Sequence, residues 1–260
     1  GRIEIDGQDI GALGPRDLMA LRREKMGMVF QSFGLLPHRT VLDNVAFPLE
    51  MRGQERHARI ARARAMLDLV GLSERADYYP RELSGGQQQR VGIARSLAIE
   101  PAVWFLDEPF SALDPLIRRD MQDEFLRLKG MADRSIVFIT HDFDEALRLA
   151  DRIAIMKDGA VEQCDTPDRI VLEPATAYVA RFTAGVDRAR VVHAGALCRP
   201  VAELGAPEGA AVPAGATIRA LARQLVAETR RVLPVTDAAG RLVGVLDRGA
   251  ALDLLLGDGS

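Results

Sequence analysis

The sequence predicts an α/β fold built on a parallel sheet, with a second, smaller α/β domain after it. The apolar runs 103–106 and 136–139 are uninterrupted, and each stops at a charged or polar residue, as strands do in a parallel sheet covered on both faces. Stretches of helical period precede and separate them. Beyond about Val186 the composition shifts towards Ala, Gly, Val and Pro, which sets a boundary between domains at 1–185 and 186–260.

In chain order, the alternation at 2–5 reads as a strand, Asp6 and Gly7 as a turn, and 15–24 as a polar helix; a strand follows at 27–30. Over 54–70, Ile60, Ala63, Met66, Leu67 and Val70 recur at helical spacing among arginines, giving an amphipathic helix with a solvated basic face. The run 88–99 is helix-forming. Residues 152–157 and 160–163 flank Asp158 and Gly159 as a tight hairpin, and Thr166 with Pro167 opens another helix. In the tail we expect a helix from Ile218, a strand at 232–235, a turn ending at Gly240, a strand at 242–246 and a last helix.

Bulk properties narrow the function. With 260 residues, 48% hydrophobic, 27% charged and net charge −3, the chain is globular and long enough for one large core or two; disorder and collagen-like order are excluded. No run approaches the roughly 20 uncharged apolar residues of a membrane helix, so any membrane role is expected to fall to a partner. Gly1 sits in a strand-like pattern with no secretory leader read ahead of it. Cys164 and Cys198 lack metal-type spacing and read as reduced, unpaired thiols. The near-neutral charge offers no nucleic-acid surface.

Several short strings carry chemistry. Ser84, Gly85, Gly86 and Gln87 precede the helical run: the glycines let backbone approach a phosphate, the helix start presents free amides and a positive dipole end, and the Ser84 hydroxyl can donate one more bond. Alone, Ser-Gly-Gly is an ordinary helix cap. The strand 103–106 delivers Asp107 and Glu108 to its carboxyl end, where one carboxylate can hold Mg²⁺ through water and the other can orient or deprotonate a water attacking a γ-phosphate. Acidic pairs also cap helices, but Pro109 argues against a helix simply continuing here. The strand 136–139 delivers Thr140 and His141, an imidazole able to hydrogen-bond a γ-phosphate or a water.

Taken in order, these strings resemble the ABC-transporter ATPase family over 1–186. Gln31 matches its Q-loop glutamine, Leu83 to Gln87 its signature loop, 103–108 its Walker B strand, Ser111 to Asp114 its D-loop and His141 its switch histidine. The resemblance implies a P-loop NTPase-type core with a helical subdomain at about 32–100, and ATP with Mg²⁺ at the site. It implies that Glu108 is the general base, that Asp107 serves Mg²⁺, and that Gln31 couples Mg²⁺ and water to the transport subunit. His141 would contact the γ-phosphate, while Ser84, Gly85, Gly86 and Gln87 would meet ATP held by the opposite subunit of a homodimer. It further implies an integral membrane permease docked on 33–51, an extracytoplasmic substrate-binding protein served indirectly, and a peripheral place on the cytoplasmic face of the membrane.

The family's glycine-rich loop ending in Gly-Lys-Ser/Thr does not occur here, and Lys25, Lys129 and Lys157, the only lysines, lack its context. In family members that loop precedes the stretch matching Gly1 to Gly7, so we expect it upstream. Residues 31–44 and 110–124 look like the glycine betaine, proline and choline import branch. The pattern at 217–256 resembles a CBS motif, although Asp247 replaces the hydroxyl residue and Ala250 the ribose carboxylate of nucleotide-binding members. An ATPase of another importer class, or a non-catalytic remnant, stands as the alternative.

Overall fold

The computed structural model describes residues 1–31, 33–111, 113–130, 135–207 and 209–257. They fall into two units, Gly1–His141 and Asp142–Ser260.

The first unit opens with β1 (Glu4–Ile5) and β2 (Gln8–Asp9), an antiparallel pair turned by Asp6 and Gly7, both left-handed at φ 49° and 76°. Helix α1 (Pro15–Lys25) has proline in its first turn, where the missing N–H is no loss. Then come β3 (Met26–Val29), α2 (Val41–Met51), α3 (Arg56–Leu69), α4 (Gly85–Ala98), β4 (Val103–Asp107), α5 (Pro115–Gly130) and β5 (Ser135–Ile139). Helices α2 to α4 thus form an uninterrupted insertion between β3 and β4, the stretch expected to be a helical subdomain.

The sheet runs β3-β4-β5, all parallel, with Met26 opposite Val103 and Val103 opposite Ser135. One face is a dense core. Val29, Trp104 and Leu106 are buried, and the rings of Phe110, Phe125 and Phe138 lie 5.8–6.4 Å apart. The Trp104 indole N–H donates to Ser96 Oγ at 2.9 Å, so its one polar atom is satisfied in the dry interior. Gly27 makes this packing possible: a Cβ there would stand 2.8 Å from Pro101 and 3.0 Å from the Ser96 carbonyl. The opposite face departs from expectation. Met28, Val137 and Ile139 are 41%, 43% and 51% exposed, so cover on both faces is met on one face only among the described residues.

The helical insertion is tied down by polar groups reaching backbone carbonyls. Arg52, just past α2, donates to the carbonyls of Arg23 and Glu24 at the end of α1 and of Ile99 at the end of α4, at 2.7–2.9 Å. A cation at helix carboxyl ends fits both their orphan acceptors and their dipole. Burial pushes its pKa down, although Glu24 and Glu100 act the other way.

The second unit contains α6 (Phe143–Leu149), the hairpin β6 (Ile153–Lys157) and β7 (Ala160–Asp165), α7 (Pro167–Leu172), α8 (Ala177–Thr183), α9 (Arg188–Val191), α10 (Val201–Leu204), β8 (Val212–Pro213), α11 (Ala222–Ala227), β9 (Val232–Thr236), β10 (Leu242–Asp247) and α12 (Arg248–Leu256). The β6–β7 turn uses Asp158 and Gly159 at φ 50° and 79°, the paired left-handed residues of a tight hairpin. In the tail, β8 runs parallel and β10 antiparallel to β9. Its core joins Ala189, Val212, Ile218, Leu225, Leu233, Val235 and Leu246 to Val171 and Leu172 of α7, and so draws on residues either side of Val186.

Asn44 offers a test of the loop ahead of α2. It is fully buried; its amide donates to the carbonyls of Leu36, Arg39 and Thr40 and accepts from the Leu36 N–H at 2.7 Å. Asn44→Ala strands several of these groups and should cost about 2–3 kcal/mol, read as a lower urea midpoint with unchanged slope.

Candidate functional site

Three neighbouring parallel strands end together. Val29 of β3 pairs with Leu106 of β4, and Asp107 of β4 with Ile139 of β5. Gln31, Glu108 and His141 each follow within two residues of those pairs, so Gln31, Asp107, Glu108 and His141 share one carboxyl edge, where open α/β sheets bind ligands.

Glu108 is the most constrained of them. Its φ of 45° is left-handed, which for a non-glycine residue costs about 1–2 kcal/mol. The turn is pinned on both sides: its N–H donates to the Ile139 carbonyl at 2.9 Å, and its carbonyl accepts from Ser111 Oγ at 3.0 Å. The carboxylate lies 2.7 Å from His141 Nδ1. That contact requires the proton on Nδ1, leaving Nε2 as the other end of the ring. Asp107 is half-buried, and Gln31 is exposed. Neither side chain has a hydrogen bond or ion pair among the described residues.

The described residues contain no cluster of three or more His, Cys, Asp and Glu side chains suited to a metal. A donor set of one or two carboxylates and an amide fits Mg²⁺, which keeps waters and takes its remaining ligands from a phosphate substrate.

Ser84 caps α4 as expected. Its hydroxyl accepts from the Gln87 N–H at 3.4 Å while Gln87 Oε1 accepts from the Ser84 N–H at 3.0 Å, a reciprocal capping box. A Cβ on Gly85 would meet nothing within 4 Å, so that glycine leaves the helix start open to approach. Gly86 serves packing instead, since its Cβ would stand 2.8 Å from Ile117 Cγ2 of α5. None of the four bonds to Gln31, Asp107, Glu108 or His141 among the described residues. Asp114 caps α5, accepting from the N–H groups of Leu116 and Ile117, both at 3.1 Å; Ala112 of the same string lies outside the described residues.

The loop after Gln31 falls in the stretch 33–51 expected to meet a permease, and its backbone is held in a way the sequence did not indicate. Phe33 and Gly34 are consecutive left-handed residues at φ 59° and 56°. Arg95 of α4 donates to both carbonyls, Nη1 to Gly34 at 2.6 Å and Nη2 to Phe33 at 3.0 Å. Burial pushes its pKa down. The signal was an arginine inside the apolar run 91–97, since buried arginines need partners.

In the tail, Asp247 caps α12, accepting from the N–H groups of Gly249 at 2.8 Å and Ala250 at 3.2 Å, and pairs with Arg231 at 3.2 Å. Burial raises its pKa, but the two amides and Arg231 outweigh it and hold the carboxyl below the ordinary aspartate value.

Residues 1–111 match a family model described as ABC transporter. The trimethylamine N-oxide transport system ATP-binding protein TmoW of Ruegeria pomeroyi is 71% identical over 256 residues, 98% of this chain and 74% of that protein. The glycine betaine/proline betaine transport system ATP-binding protein ProV of Escherichia coli is 52% identical over 199 residues, 76% of this chain and 50% of that protein. A dimeric post-hydrolysis structure of an ATP-binding cassette bound to ADP and Pi aligns with 64% of this chain and 73% of its own, at 36% identity and a TM-score of 0.58. The chain spans about three quarters of the first of these relatives and half of the second.

The α4–α5 contact yields a sign reversal. Gly86→Ala should destabilise the protein, because overpacking costs about 1–3 kcal/mol and exceeds the roughly 1 kcal/mol helix-propensity gain. With Ile117→Ala already present the clash is gone, and the same change should stabilise. Thermal melts of the four proteins check both signs.

Proposed function

The chain belongs to the ABC-transporter ATP-binding family, and we propose that it is the ATP-hydrolysing subunit of an importer for small solutes of the trimethylamine N-oxide, glycine betaine and choline kind. The shared carboxyl edge of β3, β4 and β5 carries the ATPase reading. The solute class rests on what the relatives are called, and the 71% identity puts trimethylamine N-oxide first to try.

In this reading Glu108 accepts the proton of the attacking water. Its pinned left-handed backbone and the His141 contact at 2.7 Å fix where its oxygens point. Asp107 and Gln31, neither of which has a hydrogen bond or ion pair among the described residues, would hold Mg²⁺. When bound, Mg²⁺ neutralises charge on the β- and γ-phosphate oxygens. His141, which meets Glu108 through Nδ1, is in this reading the group that contacts the γ-phosphate. The signature residues Ser84 to Gln87 act on ATP held by a second copy; their lack of any bond to the chain's own strand-end cluster supports that, as does the dimeric cassette solved with ADP and Pi.

The phosphate cradle and its lysine belong, in this proposal, to a further segment packed on the open face of Met28, Val137 and Ile139, because parallel sheets seldom leave a face bare. No described helix is long and apolar enough to cross a membrane. In this proposal, which rests on what the relatives are called, solute passes through a permease that docks on the loop and helix at 33–51, fed by an extracytoplasmic binding protein, with this subunit on the cytoplasmic face.

We read 186–260 as a CBS-like regulatory module, supported by the order α11, β9, β10, α12. The capping bonds of Asp247 account for its departure from the nucleotide-binding pattern and weigh against an adenosine ligand.

The test uses the chain extended to include its phosphate loop. Glu108→Gln should bind ATP but turn over about 10²–10⁴-fold more slowly. By light scattering after size exclusion it should accumulate as a dimer only with MgATP. Adding Ser84→Arg should abolish that dimer. Wild-type turnover in Glu108→Gln removes Glu108 from the mechanism, and a double variant that still dimerises removes the signature loop from the site.

A further inference from the structure

We propose that Arg95 is a positioning residue for Gln31, holding from α4 the backbone turn on which Gln31 sits; this rests on the ATPase reading of Gln31.

The exposed Gln31 amide has no partner among the described residues, so its place is set by the backbone on either side. On one side is β3, whose Val29 is paired with Leu106. On the other, the Phe33 N–H donates to the Phe30 carbonyl at 3.0 Å, and Phe33 and Gly34 then follow in left-handed conformation. Two such residues in a row, one of them phenylalanine, are not a conformation the local sequence prefers. Something outside the loop must hold them.

Arg95 is the side chain that does so. Its two terminal nitrogens take the carbonyls of these two residues, and among the described residues it makes no ion pair. A planar guanidinium presents two parallel donors to two adjacent acceptors, which the point charge of a lysine does not reproduce. Farther along, Asn44 fixes Leu36 through both its N–H and its carbonyl, so the loop is anchored beyond the fork as well. The same helix that carries Arg95 begins at the signature loop. A shift of α4 therefore reaches Gln31 through two hydrogen bonds rather than through loose chain.

Two measurements separate this from a merely structural role. In hydrogen exchange on the chain, Arg95→Lys and Arg95→Ala should speed exchange across 30–36 by about tenfold while β5 amides stay unchanged. In the complete transporter, Arg95→Lys should lower kcat about tenfold with KM for ATP within about twofold, and in a Gln31→Ala background should cost less than about twofold more. Unchanged exchange at 30–36 overturns the proposal, and so do losses that multiply in the double variant or that track the melting temperature. Glu108→Gln, run alongside, judges the ATPase reading by itself. If that reading fails, exchange still decides whether Arg95 holds the turn, and Arg95→Lys serves if Arg95→Ala does not fold.

Discussion

Val29 faces Leu106 across one parallel pair and Asp107 faces Ile139 across the next, and the placing of Gln31, Glu108 and His141 on one edge follows from that alignment. A parallel ladder fixes its register through evenly spaced hydrogen bonds, and a slip of one residue would turn Trp104 and Leu106 out of the core. Because burial of those two side chains sets the register, it also sets where the strands stop. Gln31, Glu108 and His141 are therefore placed by hydrophobic packing several residues away, and the polar site needs little stabilisation of its own beyond the bonds that pin Glu108.

Arginine has a second, less visible part in the same unit. Arg52 gathers carbonyls from the ends of α1 and α4, Arg62 donates to the Ala98 carbonyl near the end of α4, and Arg95 gathers the carbonyls of Phe33 and Gly34. A guanidinium buried beside carbonyls keeps its charge, since its pKa stays far above neutrality even when burial lowers it. Charge-assisted bonds of this kind are about twice as strong as neutral ones. Arg52 and Arg95 thus fasten the helical insertion to α1 and to the loop after β3, while Arg62, from the stretch 54–70 read as a solvated face, ties α3 to the end of α4 through the Ala98 carbonyl and through Glu100 at 2.8 Å.

What could be read from sequence divides along physical lines. The strands 103–106 and 136–139, the helix at 54–70, the hairpin at Asp158 and Gly159 and the cap at Ser84 were legible because each rests on local periodicity or turn chemistry. Glu108 and His141 were legible as residues at strand ends, and the structure adds that they touch. The fork of Arg95 was not legible: its partners are backbone carbonyls 61 and 62 residues away, and a carbonyl has no residue type to recognise. Nor was the shared core of Val171 with the tail, since composition marks a change at Val186 while packing joins residues on both sides of it.

The groups the fold satisfies contrast with those it does not. Asn44 fills its hydrogen bonds completely and Trp104 finds Ser96, as buried polar atoms must. Asp107 and Gln31 have no partner among the described residues, the start of α4 is open at Gly85, and the sheet leaves Met28, Val137 and Ile139 about half-exposed. Each unmet requirement has a distinct complement: a cation for the carboxylate, a phosphate for the helix start, an apolar surface for the sheet face. In the proposed reading a nucleotide with its metal, bound between this sheet and a second copy's α4, would meet the first two, and the segment that carries the phosphate cradle would meet the third. That two unmet requirements of different chemistry, a carboxylate and an open helix start, point to one phosphate ligand with its cation adds to what each motif says singly.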